Sequence, residues 1–183
     1  MKTLPPDLAR IIVSEEQIRA RVKEIAAEVS GDYAGGDGLY LIGVLKGAFI
    51  FLADLARELA VPHSVDFMAL SSYGKTTVHS SSVRIIMDLR EPIEGHHVVI
   101  VEDIVDSGNT LGYLYATLKG RRPASIRTCV LLRKKRAAAD VPISYLGFEI
   151  PDVWVVGYGL DYADRYRTLP YIAELKEHVY RGG

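Results

Sequence analysis

Cysteine is nearly absent. Cys129 is the only one in 183 residues, so no intramolecular disulfide and no cysteine-built zinc cage can form. Set in the apolar run Thr128 to Leu132, it reads as buried filler. An excess of either charge is missing as well: 22 Lys plus Arg stand against 23 Asp plus Glu. The chain therefore lacks the broad basic footprint that duplex nucleic acid or an anionic membrane requires, and any anion site has to be local. Long apolar runs are missing too. The longest, near Leu39 to Leu45 and Ala48 to Ala56, fall short of the roughly 18 residues of a spanning helix. Met1 to Asp7 carries Pro5 and Pro6 and no apolar stretch of the secretory kind. A cytoplasmic protein is expected. With 49% hydrophobic residues, a chain this long buries roughly 70% of its unfolded surface without staples. No repeat, low-complexity tract or linker interrupts it, so one domain over 1–183 is expected.

The apolar pattern then gives the order of elements. Ser14 followed by Gln17 makes a capping box, and Ile18, Val22, Ile25 and Val29 recur at helical spacing, which predicts an amphipathic helix over 15–29. After the Gly-rich stretch 31–38, Leu39 to Leu45 is apolar almost throughout, as in a strand covered on both faces. Phe49 to Leu59 reads as helix, as does Leu111 to Lys119. Further apolar runs at 65–70, 83–89, 98–101, 126–132 and 153–156 read as strands. Buried-type strands interleaved with helices predict an α/β fold with a mainly parallel central sheet flanked by helices, and the pair 65–70 and 83–89 suits an antiparallel excursion.

The densest chemistry lies in Val98-Val99-Ile100-Val101-Glu102-Asp103-Ile104-Val105-Asp106-Ser107-Gly108-Asn109-Thr110-Leu111. A buried strand ends in two adjacent carboxylates, and a short polar loop then opens a helix. Ligands of open α/β sheets sit beyond the carboxyl ends of the strands, and a helix N-terminus offers unpaired N–H groups to a phosphate. Ser107 and Thr110 add hydroxyl donors, and Gly108 lets backbone come close. Asp106 or Ser107 serving only as a helix cap is the plain alternative. Two carboxylates beside a phosphate site repel a bare anion, so they suit a divalent cation or the hydroxyl groups of the same ligand. A sugar phosphate with Mg²⁺ satisfies both halves.

Val99 to Leu111 resembles the signature by which type I phosphoribosyltransferases bind 5-phosphoribosyl-1-pyrophosphate. Leu45-Lys46-Gly47, Ser71-Ser72-Tyr73-Gly74, Leu131 to Lys134, and Gly147-Phe148-Glu149-Ile150-Pro151-Asp152 through Arg167 resemble in turn the bacterial hypoxanthine and hypoxanthine-guanine members. The match runs in order from about residue 11 to 180. The resemblance implies the type I fold with a small hood, built from the N-terminal segment and about 145–183, and a flexible lid at about 71–82 that includes Ser72 and Tyr73. It implies purine salvage: Mg²⁺-dependent transfer of the phosphoribosyl group to N9 of hypoxanthine or guanine, giving IMP or GMP and pyrophosphate, with two Mg²⁺ in the ternary complex.

The same resemblance assigns the 5'-phosphate to Asp106, Ser107, Gly108, Asn109 and Thr110. Glu102 and Asp103 fall to the ribose hydroxyls and the Mg²⁺ region, and Asp161 to a second Mg²⁺. Lys46, Gly47 and Arg167 fall to pyrophosphate, with a strained non-proline cis peptide at the Lys46 turn. The purine falls to Lys134, Trp154, Val155, Ile104 and Leu160, and Asp106 is the acceptor of the N7 proton. Family habit implies a homo-oligomer, a dimer or tetramer, while the charge balance leads us to expect no nucleic-acid partner. Trp154 stands where Phe or Tyr is more usual. The run Arg133-Lys134-Lys135-Arg136 is more basic than the usual context, so Lys134 and Lys135 both compete for the base, with spacing after Leu132 favouring Lys134. An ammonium donor prefers a 6-oxo acceptor to a 6-amino donor, which favours hypoxanthine or guanine over adenine.

Two other readings compete. Ala69 to Thr76 fits a relaxed P-loop pattern, yet the β-branched, Ser-rich 77–82 that follows is a poor helix start. A nucleic-acid-binding sensor that keeps the sugar-phosphate site has only the 133–136 run in its favour. His96-His97 lacks metal-ligand spacing and reads as a solvated turn.

Overall fold

Period-two alternation in the apolar runs builds a sheet with a separate core on each face. In the computed structural model, which describes residues 4–36, 38–73, 82–135 and 142–181, six strands lie in the order β4-β3-β2-β5-β6-β7. They are β2 (Leu39–Leu45), β3 (His63–Tyr73), β4 (Ser82–Met87), β5 (His97–Val105), β6 (Ser125–Lys134) and β7 (Tyr145–Ile150). All neighbours pair in parallel except β3 and β4, the antiparallel excursion that the sequence suggests.

Along β2, β5 and β6 the odd residues Leu39, Leu41, Val99, Val101, Cys129 and Leu131 face helices α1 (Glu15–Asp32) and α2 (Phe49–Glu58). The even residues Tyr40, Ile42, Val98, Ile100 and Val130 face α3 (Asn109–Lys119) and its Leu111, Leu114 and Leu118. Cys129 is fully buried. Ser14 and Gln17 close the capping box at the start of α1, with Gln17 N–H on Ser14 Oγ (3.3 Å) and Ser14 N–H on Gln17 Oε1 (2.8 Å). Burying Ile18, Val22, Ile25 and Val29 of α1 contributes roughly 1.5–3 kcal/mol for each side chain. Among the described residues no helix is long and apolar enough to cross a membrane.

A second, three-stranded antiparallel sheet, in the order β1-β9-β8, joins β1 (Leu8–Val13), β9 (Ile172–Leu175) and β8 (Val155–Val156). A short helix α4 (Glu177–Arg181) follows β9. The β1–β9 pairing sets Leu8 opposite Leu175, near opposite ends of the sequence, which local pattern does not reveal. The run 153–156 contracts to the two residues of β8, and His97 opens β5 rather than a turn, its Nδ1 2.7 Å from Ser125 Oγ.

The parallel strands all point their carboxyl ends to one edge of the central sheet. Two turns, Lys46 to Ala48 after β2 and Asp106 to Gly108 after β5, meet there with the end of β6 at Lys134.

Candidate active site

Gly108, not Asp106 or Ser107, is the N-cap of α3. It sits at φ 85° in the left-handed region, and no side chain caps the helix. A residue with a Cβ is disfavoured there, and the first-turn N–H groups lie beyond a strand end, where a dianion gains most. Ser107 Oγ accepts from the Asn109 N–H at 3.4 Å. Asp106, Ser107 and Asn109 are exposed, and Gly108 and Thr110 half-buried.

The acidic pair behaves differently. Glu102 is buried, and among the described residues its Oε2 has no hydrogen-bond partner. Burial, then the neighbouring Asp103 charge, pushes its carboxyl well above the ordinary range. Burial likewise raises Asp103, to about 6, against the lowering pull of the Ile104 N–H on its Oδ1 (2.8 Å) and of nearby Arg167. Both folded pKa values exceed their unfolded ones, so folding favours the protonated pair. The stabilisation is complete at low pH and is lost as pH rises from the ordinary carboxylate range through about 6. Glu102→Gln is accordingly expected to raise the Tm by about 2–6 °C at pH 7.5 while gaining little at pH 4.5. Thermal unfolding of both proteins at the two pH values checks this; an equal gain at both removes the electrostatic explanation.

Close backbone contact locks this corner together. A Cβ built on Gly47 would fall 1.5 Å from Asp103 Oδ2, and one on Gly159 would fall 1.9 Å from the Gly47 carbonyl oxygen. The Leu45–Lys46 peptide is cis. Arg167 donates Nη1 to Gly159 O (2.9 Å), and its Nη2 contacts Asp161 Oδ1 (2.8 Å) and Asp164 Oδ1 (3.0 Å). Lys46 Nζ reaches the same Asp164 oxygen at 3.1 Å. Arg167, then Lys46, hold the Asp164 carboxyl below its usual range. Two cations thus converge on one exposed carboxylate at the mouth of the site, an arrangement that an incoming phosphate can replace.

Beside the α3 N-terminus lies a cavity of about 370 Å³ lined by Ile104, Asp106, Lys134, Trp154, Val155 and Leu160. Asp161 also borders it. Lys134 is buried with its Nζ 3.1 Å from Asp106 Oδ2 and 3.4 Å from Asp152 Oδ1. Lys135 is exposed and Arg133 pairs with Glu149, so of the basic run Lys134 enters the cavity; Arg136 lies outside the described residues. Trp154, which periodicity alone places in the core, is 45% exposed.

The structure therefore brings together the residues that the sequence scatters over 46–167, and adds three. Asp152 belongs to a motif already singled out but had no role of its own. Asp164 is marked by no spacing, and Tyr180, which also lines the cavity, sits in a C-terminal segment with no motif. Ser72 and Tyr73 belong to β3 and pair with Val83 and Ser82 of β4. Most of the remaining expected lid, 74–81, lies outside the described residues.

The profile of the phosphoribosyl transferase domain matches residues 11–163. The chain is 49% identical over 175 residues to the hypoxanthine-guanine phosphoribosyltransferase of Dictyostelium discoideum, covering 93% of this chain and 97% of the relative. It is 48% identical over 175 residues to that of Bacillus subtilis, covering 95% and 97%. Among solved structures, the Trypanosoma cruzi hypoxanthine phosphoribosyltransferase in complex with its product IMP superposes with a TM-score of 0.90 at 45% identity, over 97% of this chain and all of that one. Fold, strand-end chemistry and these matches agree: the chain belongs to the phosphoribosyltransferase family.

Proposed function

We propose that this chain is a purine-salvage enzyme that transfers the 5-phosphoribosyl group of 5-phosphoribosyl-1-pyrophosphate to N9 of hypoxanthine or guanine. The products are IMP or GMP and pyrophosphate. One observation carries the reading: inside the cavity next to the uncapped α3 N-terminus, an ammonium and a carboxylate lie 3.1 Å apart. A 6-oxopurine bearing its proton on N7 presents an acceptor, O6, beside a donor, N7–H. Lys134 can give to the first while Asp106 takes from the second. Adenine offers an amino donor in place of O6 and leaves Lys134 without an acceptor.

The remaining roles follow from position. Ser107, Gly108, Asn109 and Thr110 take the 5'-phosphate at the helix terminus. Lys46, Gly47 and Arg167 take the pyrophosphate, with the two side-chain cations leaving Asp164 for phosphate oxygens. The base lies between Ile104 and Leu160 on one side and the Trp154 ring on the other, with backbone of Val155 at its far edge. As N9 attacks C1', the bond from C1' to the pyrophosphate oxygen breaks and the N7 proton passes to Asp106.

The buried Oε2 of Glu102, without a partner among the described residues, is an oxygen awaiting one, and the hard carboxylates here suit Mg²⁺. Among the described residues no three His, Cys, Asp or Glu side chains form a cage. That fits an ion which takes one or two carboxylates and completes its shell with phosphate oxygens and water. Glu102 and Asp103 would hold one ion with the ribose hydroxyls, and Asp161 a second. Bound Mg²⁺ supplies neutralisation of the departing pyrophosphate.

In the cell the enzyme works in the cytoplasm as a homo-oligomer, a dimer or tetramer. The three-stranded sheet with α4 serves as the hood over the base. Pyrophosphate release measured in parallel with hypoxanthine, guanine, xanthine and adenine, in the presence of Mg²⁺, tests the reading. Release with the 6-oxopurines and none with adenine is expected, and equal release with adenine removes the Lys134 role.

A further inference from the structure

Trp154 is the only tryptophan of the chain, and its indole is held from two sides. Tyr180 of α4 stacks on it, with ring centroids 5.3 Å apart and planes 22° from parallel. Tyr162 meets it in a T-shaped contact, with centroids 5.8 Å apart and planes at 86°. The stack is tied to the backbone rather than left to chance. The Leu175 N–H donates to Trp154 O (2.8 Å), which fixes the start of β8 against the end of β9. Lys176 N–H donates to Asp7 O (2.9 Å) just before α4, and Tyr162 Oη donates to Val179 O (2.9 Å) at its middle residue, which anchors the helix. One face of the indole is therefore covered by Tyr180, while Trp154 and Tyr180 both border the cavity.

We propose that Tyr180 is a positioning residue of the purine site: it clamps the indole of Trp154 so that the opposite face is presented, already ordered, to the base. The inference rests on the reading of the cavity as the purine site. An exposed tryptophan turns about two side-chain bonds, and a base that stacks on it must first stop that motion. Tyr180 stops it before the base arrives, so the C-terminal helix contributes to purine affinity without touching the reacting atoms. The cavity retains about 370 Å³ with the Tyr180 ring in place, so the ring acts as a backing plate rather than as an occupant of the slot.

The test uses the full-length enzyme and reads one residue directly, because Trp154 emission has no competitor. Tyr180→Ala is expected to raise the purine KM about threefold to tenfold, to leave the KM for 5-phosphoribosyl-1-pyrophosphate within twofold, and to shift Trp154 emission to the red in the free enzyme. Tyr180→Phe keeps the stacking ring and should restore all three. Tyr162→Phe, which removes only the hydroxyl that holds Val179 O, should move the purine KM in the same direction by a smaller factor. A purine KM that is unchanged or lowered in Tyr180→Ala, while GMP still quenches Trp154, overturns the positioning role. A rise in both substrate KM values with a matching loss of Tm that Tyr180→Phe does not restore also overturns it, because that is the mark of general structure. If GMP leaves Trp154 emission unmoved in the unmodified enzyme, the reading of the cavity itself falls.

Discussion

Asp106→Asn is expected to lower the rate of IMP formation by about 10²–10⁴-fold, the usual contribution of a positioned general base. The substitution is close to isosteric, and the amide oxygen still gives Lys134 an acceptor, so the cavity keeps its shape and the purine KM should change little. What is lost is the anion that receives the N7 proton. An amide cannot take that proton, and N9 must then attack C1' while N7 is still protonated, which places positive charge on the purine in an already cationic transition state. Single-turnover measurement separates this step from product release, since a slow departure of pyrophosphate can hide a chemical defect in kcat. A single-turnover rate within threefold of the unmodified enzyme sinks the assignment, and the carboxylate is then a partner of Lys134 and nothing more. The opposite error is also visible: if the purine KM rises and the rate holds, Asp106 binds the base rather than serving as its base.

The parts of this molecule that were legible in its sequence are those governed by local rules. The capping box at Ser14, the doubly covered strands and the strand-loop-helix around Glu102 to Leu111 depend on neighbours a few residues apart, and each lies where local pattern puts it. Three strands escaped for physical reasons. β1 and β9 find each other across the whole chain, with Leu8 opposite Leu175, and no local period encodes that pairing. In β7 the glycine at 147 interrupts the apolar pattern, yet it is needed there because a Cβ would meet Leu131 O at 2.3 Å. The site divides in the same way. The loop 106–110 could be read from its own chemistry, whereas roles for Lys46, Trp154 and Arg167 came from resemblance alone. An aromatic in an apolar run such as 153–156 looks like core, yet the fold leaves Trp154 45% exposed. Tyr180 and Asp164 had no signal at all, since each matters only through a partner brought to it by folding.

Gly159→Ala is expected to raise the KM for 5-phosphoribosyl-1-pyrophosphate at least tenfold and to lower the Tm by roughly 5–15 °C. Two costs combine at this position. Gly159 has φ +104°, where a Cβ is strained by about 1–3 kcal/mol. The added carbon would also lie 1.9 Å from the Gly47 carbonyl oxygen, which is backbone and cannot rotate out of the way. One of the two segments has to move, and each carries part of the pyrophosphate site. The Gly159 N–H donates to Arg167 O (2.8 Å) and its carbonyl accepts from Arg167 Nη1 (2.9 Å), so displacing Gly159 displaces Arg167. Displacing Gly47 instead moves Lys46 and uncovers Asp103. The purine end should suffer less, because Lys134 and Asp106 stand at the ends of β6 and β5 and only Leu160 of the base contacts adjoins Gly159. Gly31→Ala supplies the contrast: it lies in the last turn of α1 with nothing within 4 Å of a new Cβ, and alanine there is expected to leave the Tm unchanged or slightly raised. The diagnostic quantity is the ratio of the two KM changes in Gly159→Ala. A rise confined to the pyrophosphate substrate locates the damage at the junction of the 45–47 and 157–161 segments. An equal rise for both substrates means that the junction supports the whole site, and the division of labour between the two ends of the cavity is then wrong.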